Sequence, residues 1–175
     1  MNKQISIARK TAYLSMLSSG AIILSYIETI IPITIVPIPA FKIGFANIMI
    51  MLTIYLFSPI DALIVNIART IVISLLFSSV SAAIFSLVGG TLSILAMYLV
   101  SKCRAFSIYS VGIIGATMHN IGQILVAMIL LKTTVVISYL PWLMLCSIIC
   151  GIVIALMCAI ILPQFEKILT SKNRC

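Results

Sequence analysis

Residues 60–77 read IDALIVNIARTIVISLLF, an apolar run with one charge, Asp61, at its start and another, Arg69, in its interior. An α-helix rises about 1.5 Å per residue, so about 20 residues cross a hydrocarbon core roughly 30 Å thick. This run is therefore long enough to span a bilayer. Charged residues border similar runs along the rest of the chain. Because these runs are continuous rather than alternating, they predict helices and not a β-barrel.

The composition agrees with a membrane protein. The chain has 175 residues, of which 63% are hydrophobic and 8% are charged, whereas soluble domains average about 25% charged residues. The mean hydropathy is +1.31. We expect an all-α integral membrane protein with one domain, residues 1–175, in contact with membrane lipid. Its six transmembrane helices are predicted at about 8–30, 44–57, 60–77, 82–101, 106–131 and 139–162.

The net charge of +8 is read as a topology signal rather than as a nucleic-acid site. The basic residues are dispersed at helix ends and form no stripe with interleaved aromatic residues. With six spans, both termini face the same side. The positive-inside rule predicts that this side is cytoplasmic, in a multi-pass protein of the cell membrane. It would carry Lys3, Arg9, Lys10, Lys102, Arg104, Lys167, Lys172 and Arg174, against Lys42 and Lys132 on the other side.

Two connections between helices have informative sequences. Residues 32–41, PITIVPIPAF, contain three prolines and are still apolar. Non-helical backbone at membrane depth must be buried in protein or line a cavity, so this segment is predicted to fold over the bundle as a lid. A simple stiff connector is the alternative. Ser58, Pro59 and Asp61 have the pattern of a helix start, which makes Asp61 structural rather than catalytic.

Small residues recur at four-residue steps in the first and last helices. Such seams let helices approach closely in lipid. In the sixth helix we interpret Ser147, Gly151, Ala155 and Ala159 as internal packing. The first helix, with Ala8, Ala12, Ser15 and Ser19, could instead present its seam to another subunit.

Arg69 is the residue that most needs an explanation. It lies about nine residues into its helix, roughly 13 Å deep, where an arginine costs at least about 2.5–3.5 kcal/mol. The guanidinium cannot lose its proton to escape this cost. No acidic residue is expected at the same depth, since Glu28 is placed near the outer end of the first helix, and an anionic ligand is therefore predicted. The alternative is that Asn66 and backbone carbonyls hold Arg69.

Other polar residues are predicted at similar depth or further outward. The fifth helix supplies His119, Asn120 and Gln123, and Gly89-Gly90 would allow close approach of a ligand or another backbone. Each of these alone could be a simple interhelical contact. Together they predict a substrate-binding layer, which comprises Arg69, Asn66, His119, Asn120, Gln123, Asn47, Gly89, Gly90 and, at its mouth, Lys42.

Several catalytic classes lack their residues here. There is no GxxxxGK[ST] nucleotide loop. The three carboxylates, Glu28, Asp61 and Glu166, are not paired as Mg²⁺ chemistry requires. No acid is predicted near His119 for a catalytic triad. We therefore expect no catalytic residues, no metal site and no cofactor, and we do not expect the chain to catalyse a reaction on its own.

At this point the sequence resembles a known family. The segment 42–48, KIGFANI, resembles the K-x-G-x-A-N-I motif of the Gx transporter family, which is also known as heptaprenyl diphosphate synthase component I. Residues 66–69 (NIAR), 85–90 (FSLVGG) and 115–123 (GATMHNIGQ) fit the same pattern. The resemblance extends from the second helix through the sixth.

The resemblance implies both a fold and a division of labour. The family is similar to the substrate-binding (S) components of energy-coupling-factor (ECF) transporters, which are six-helix proteins. These components bind a vitamin-like molecule from outside and work with a transmembrane coupling subunit and two ATPases. Their first helix carries an A-x-x-x-A patch for the coupling subunit, which Ala8 and Ala12 match.

Three functions follow as hypotheses. The first is a substrate-binding subunit of an ECF-type importer for an anionic or polar small molecule. The second is an accessory subunit of a soluble prenyl diphosphate synthase in isoprenoid or quinone metabolism. This subunit would be non-catalytic, because such synthases use aspartate-rich motifs and this chain has one aspartate. The third is a membrane anchor of a redox or flavin-handling complex.

Overall fold

The computed structural model describes residues 6–30, 44–77, 79–103 and 105–171. Within these ranges the chain is helical and contains no strand. A short 3₁₀ turn, Val135–Tyr139, precedes the last helix. The prediction of six helices is confirmed: α1 Ile7–Ile30, α2 Asn47–Leu56, α3 Pro59–Phe77, α4 Val80–Lys102, α5 Ile108–Leu131 and α6 Leu140–Ser171.

Five of these helices are long and apolar enough to cross a bilayer, and the protein is a multi-pass membrane protein. The exception is α2, which has 10 residues and a length of about 15 Å. It covers roughly half of the hydrocarbon thickness. The sequence-based boundaries of about 44–57 made this helix too long, because residues 44–46 form a turn before it.

The short helix α2 lies at the centre of the bundle. It contacts α1, α3, α4, α5 and α6, while the other helices contact one another in the order α1, α3, α4, α5, α6. Seven of its ten residues are buried, among them Ile50, Met51 and Leu52. Large apolar side chains on the outer helices are exposed instead, as expected for a surface that faces lipid.

The helices alternate in direction, so the bundle has two ends. At the end where α1 begins and α6 finishes, which we call the terminal face, Lys10 pairs with Asp61 at 2.8 Å. The Ser58 hydroxyl donates to the Asp61 carboxylate and accepts a hydrogen bond from the Asp61 backbone N–H. The predicted cap at the start of α3 is therefore confirmed. At the opposite end, the distal face, the rings of Tyr26 and Phe77 lie 4.5 Å apart.

The seam of small residues on α6 packs against α5. A Cβ atom added at Gly151 would lie 2.4 Å from the Cα of Ile113, and one added at Gly112 would lie 2.5 Å from the carbonyl oxygen of Gly151. Ala155 and Ser147 in the same seam are fully buried. The interpretation of this seam as internal packing is confirmed. The seam of α1 differs, since Ala8, Ala12, Ser15 and Ser19 are all exposed.

The contact between α5 and α6 leads to a stability prediction. The change Gly151→Ala places a methyl group against backbone, which cannot rotate away, so the two helices must separate. We expect a loss of about 1–3 kcal/mol, seen as a fall of roughly 2–10 °C in the melting temperature of the detergent-solubilised protein.

The matched control is Gly20→Ala. Its added Cβ would meet the Cε atom of Met49 at 3.1 Å, at the flexible end of that side chain, so we expect little change. Equal melting temperatures for the two variants would contradict the close α5–α6 contact.

Candidate functional site

Arg69 is buried in the middle of α3, with 3% of its surface exposed. Its Nε and Nη2 atoms donate to Oδ1 of Asn66 at 3.1 and 2.7 Å. Its Nη1 atom donates to Oγ of Ser25 on α1 at 3.0 Å. A guanidinium has five N–H donors, so donors remain after these three bonds. Arg69 therefore joins α3 to α1 and can still bind a further acceptor.

The expectation that Arg69 has no acidic neighbour was wrong. Glu28 lies one helical turn beyond Ser25 on α1, is 9% exposed, and interacts electrostatically with Arg69. It also accepts a hydrogen bond from the N–H of Gly44. The sequence placed Glu28 near a helix end but did not show that this end turns inward. Glu28 therefore offsets part of the Arg69 charge, for which the sequence predicted no protein counter-charge.

On α5, His119 and Gln123 face the same way, with the Gln123 Nε2 atom 2.9 Å from Nε2 of His119. Asn120 is turned away from them. Its Nδ2 atom donates to Oγ of Ser147 at 2.7 Å and to the carbonyl of Leu143 at 3.4 Å, both on α6. The structure thus brings His119 and Gln123 together and places Asn120 at the α5–α6 contact.

Asn47 is the first residue of α2 and is fully buried. Neither atom of its side-chain amide has a hydrogen-bond partner among the described residues. An unpaired buried polar group costs about 1–3 kcal/mol, and in a native protein it calls for an explanation such as a ligand. The N-terminus of α2, which carries a partial positive charge, thus begins inside the bundle beside this amide.

Gly44 lets the chain approach α5 just before α2. Its φ angle is 93°, in the left-handed region that favours glycine. A Cβ atom here would lie 2.9 Å from Nδ2 of Asn47 and 3.1 Å from Cδ2 of His119. The turn therefore places Asn47 next to His119.

Gly89 and Gly90 connect the two parts of the site. A Cβ at Gly89 would lie 2.9 Å from the carbonyl oxygen of His119, and a Cβ at Gly90 would lie 2.3 Å from Oδ1 of Asn66. These glycines allow α4 to touch α5 and α3 at the same depth. We call the buried side chains that meet around them the polar cluster: Asn47, Asn66, Arg69, His119 and Gln123.

A crevice extends from Arg69 toward the distal face, between α1, α3 and α4. It has a water-accessible volume of about 10 Å³, close to the minimum for one water molecule. Sequence reasoning missed its hydroxyl groups. Ser25 lies on the buried side of α1 with Leu17 and Ala21, at four-residue spacing, and this spacing was the available signal. The polar lining consists of Ser25, Arg69, Thr70, Ser74 and Ser86.

Two predicted features lie outside the described residues: Lys42 and the proline-rich segment 32–41. Within the described ranges, no group of three or more His, Cys, Asp or Glu side chains is placed to hold a metal ion.

The fold resembles a solved structure described as the S component of a bacterial ECF transporter. The TM-score is 0.70, the sequence identity is 23%, and the match covers 94% of this chain and 99% of that chain. At this identity the likeness shows the fold. No curated protein matches the sequence.

The sequence profile described as heptaprenyl diphosphate synthase component I matches residues 17–161. The match extends from the middle of α1 into α6 and includes every residue of the polar cluster. The chain belongs to the heptaprenyl diphosphate synthase component I family.

Proposed function

We propose that this protein is the membrane-embedded substrate-binding subunit of an ECF-type importer, and that the polar cluster holds an anionic or polar small molecule. The observation that carries this proposal is the side-chain amide of fully buried Asn47, at the point where the central helix begins. Neither amide atom has a hydrogen-bond partner among the described residues. The likeness in fold to an S component supports it.

The available groups define the chemistry of the ligand. Arg69 keeps donors for an acceptor such as a carboxylate or carbonyl oxygen, Nδ2 of Asn66 has no partner among the described residues, and Asn47 offers both a donor and an acceptor. The crevice beside Arg69 is far smaller than known ligand pockets of roughly 300–1,000 Å³. A ligand therefore enters this crevice only when α1, α3 and α4 move apart.

The orientation forms part of the proposal. Both termini would be cytoplasmic, which makes the distal face the outer side from which the ligand arrives. Described basic residues at the terminal face include Arg9, Lys10, Lys102 and Lys167, whereas Lys132 lies at the distal face. This asymmetry has the sign that the positive-inside rule requires.

The exposed seam of α1 would bind the coupling subunit that carries the ATPases. Ala8 and Ala12 are exposed, and small residues allow a partner helix to approach closely in lipid. The hydroxyls of Thr11, Ser15 and Ser19 donate to carbonyls four residues earlier. This stripe can therefore be covered by an apolar partner without leaving those donors unsatisfied.

The family name favours a second candidate, an accessory subunit of a prenyl diphosphate synthase. Such a role would be non-catalytic, because Asp61 already pairs with Lys10 at the start of α3 and no further aspartate exists. The helical bundle would then bind a hydrophobic substrate or product of the synthase.

Arg69→Ala is expected to abolish ligand binding. Removing one partner of a buried charged hydrogen bond costs about 2–5 kcal/mol, which weakens affinity at least about 30-fold. Native mass spectrometry of protein purified in mild detergent should show a small-molecule adduct on the wild type and none on the variant. Lys132→Ala, an exposed cation at the distal face, is the control. The same adduct on the Arg69 variant would refute the role.

The variant Asn47→Leu tests ligand binding without a loss of protein stability. The Asn47 side chain makes no hydrogen bond to described residues, so an apolar replacement of similar size should leave the melting temperature unchanged or raised. Loss of its bonds to the ligand should still weaken binding roughly tenfold. If the variant keeps full ligand occupancy, the unpaired amide is not part of the binding site.

The partner is tested with Ala12→Trp. A bulky residue on the exposed seam should prevent close approach of a coupling helix, so co-purification of ATPases with a tagged protein should be lost. Leu99→Trp is the control, because Leu99 is 57% exposed on α4. Capture of an aspartate-rich prenyl synthase in place of ATPases would favour the second candidate.

The orientation is tested with thiol labelling. Cys103 is exposed at the end of α4. In a variant that keeps only this cysteine, a membrane-impermeant maleimide should react after cell lysis but not with intact cells. Adding Lys132→Cys to a cysteine-free chain should give labelling of intact cells. The reverse pattern would invert the proposed topology.

A further inference from the structure

A second cavity lies at the terminal face, where α2 ends, α3 begins and α4 ends. Its volume is about 300 Å³, within the lower range of ligand pockets. It shares no residue with the crevice beside Arg69, which points toward the distal face. Because three helices terminate around it, the cavity lies at the depth where lipid headgroups meet the protein.

Lys102 provides a cation at the rim of this cavity. Its Nζ atom lies 5.1 Å from the centroid of the Tyr98 ring, in cation–π contact. Asp61 at the start of α3 is paired with Lys10, and Lys102 forms no ion pair among the described residues. The ring therefore orients an ammonium group that has no ion-pair partner among the described residues.

The other walls combine polar and apolar groups. Ser58 and Ser101 have already used their hydroxyl protons, on Asp61 and on the carbonyl of Tyr98. The ammonium of Lys102 and the phenols of Tyr55 and Tyr98 are the remaining side-chain donors among the residues that line the cavity. Ile54 and Phe57 add apolar surface beside them. Such a lining suits a molecule with an anionic group joined to an apolar body.

We propose that this cavity binds the headgroup of an anionic phospholipid, with the phosphate at Lys102 and the glycerol and first acyl carbons against Ile54 and Phe57. Basic residues close to a membrane surface attract anionic lipids electrostatically. The apolar wall adds a contact that free phosphate cannot make. The site is independent of the ligand held by the polar cluster.

The test uses the full-length protein in nanodiscs that contain equal amounts of phosphatidylglycerol and phosphatidylcholine. Native mass spectrometry should show phosphatidylglycerol retained preferentially on the wild type. Lys102→Gln should lower this retention roughly fivefold, the factor expected for one basic residue near the surface. The control Lys132→Gln removes one exposed charge at the distal face and measures general surface attraction, so it should lower the retention less than Lys102→Gln does.

A second variant distinguishes a built site from general surface attraction. Ser101→Leu fills the cavity without changing the charge, so it should also lower phosphatidylglycerol retention. Three results would overturn the proposal: equal retention of both lipids by the wild type, full retention by the Ser101 variant, or complete displacement of the lipid by millimolar inorganic phosphate. The last result would show a free-anion site.

Discussion

The guanidinium of Arg69 is the constraint around which the interior is arranged. It cannot become neutral inside the bilayer, so the bundle must supply acceptors at its depth. Asn66 and Ser25 accept its hydrogen bonds, and Glu28 contributes an opposite charge. These contacts hold α1 against α3. They also place Glu28, in the last turns of α1, where it accepts a hydrogen bond from Gly44, just before α2.

The half-length helix α2 explains why the polar residues meet where they do. A full-length central helix would fill the axis with apolar side chains from one end to the other. Here α2 fills the part nearer the terminal face with Ile50, Met51 and Leu52, and it begins with Asn47 beside His119. The boundary between apolar core and polar cluster is therefore set by the point where α2 starts.

The two cavities differ in physical character, which argues for different occupants. The one beside Arg69 is buried, small and lined by hydroxyl groups, so desolvation strengthens each hydrogen bond formed there. The one beside Lys102 is larger and lies at the end of the helices, where charge is screened but lipid headgroups are abundant.

The sequence alone determined the fold class, the six helices and the five members of the polar cluster, because lipid allows few backbone structures and makes buried polar residues conspicuous. Boundaries of long helices such as α3 followed from charge and proline. Which face each residue presents was decided only by tertiary packing. Asn120 turned to α6, Glu28 turned inward, and the exposure of the α1 seam depends on neighbours distant in sequence. The hydropathy pattern predicts the depth of a residue in the membrane. Whether its side chain faces the bundle interior, a neighbouring helix or lipid depends on how the six helices pack.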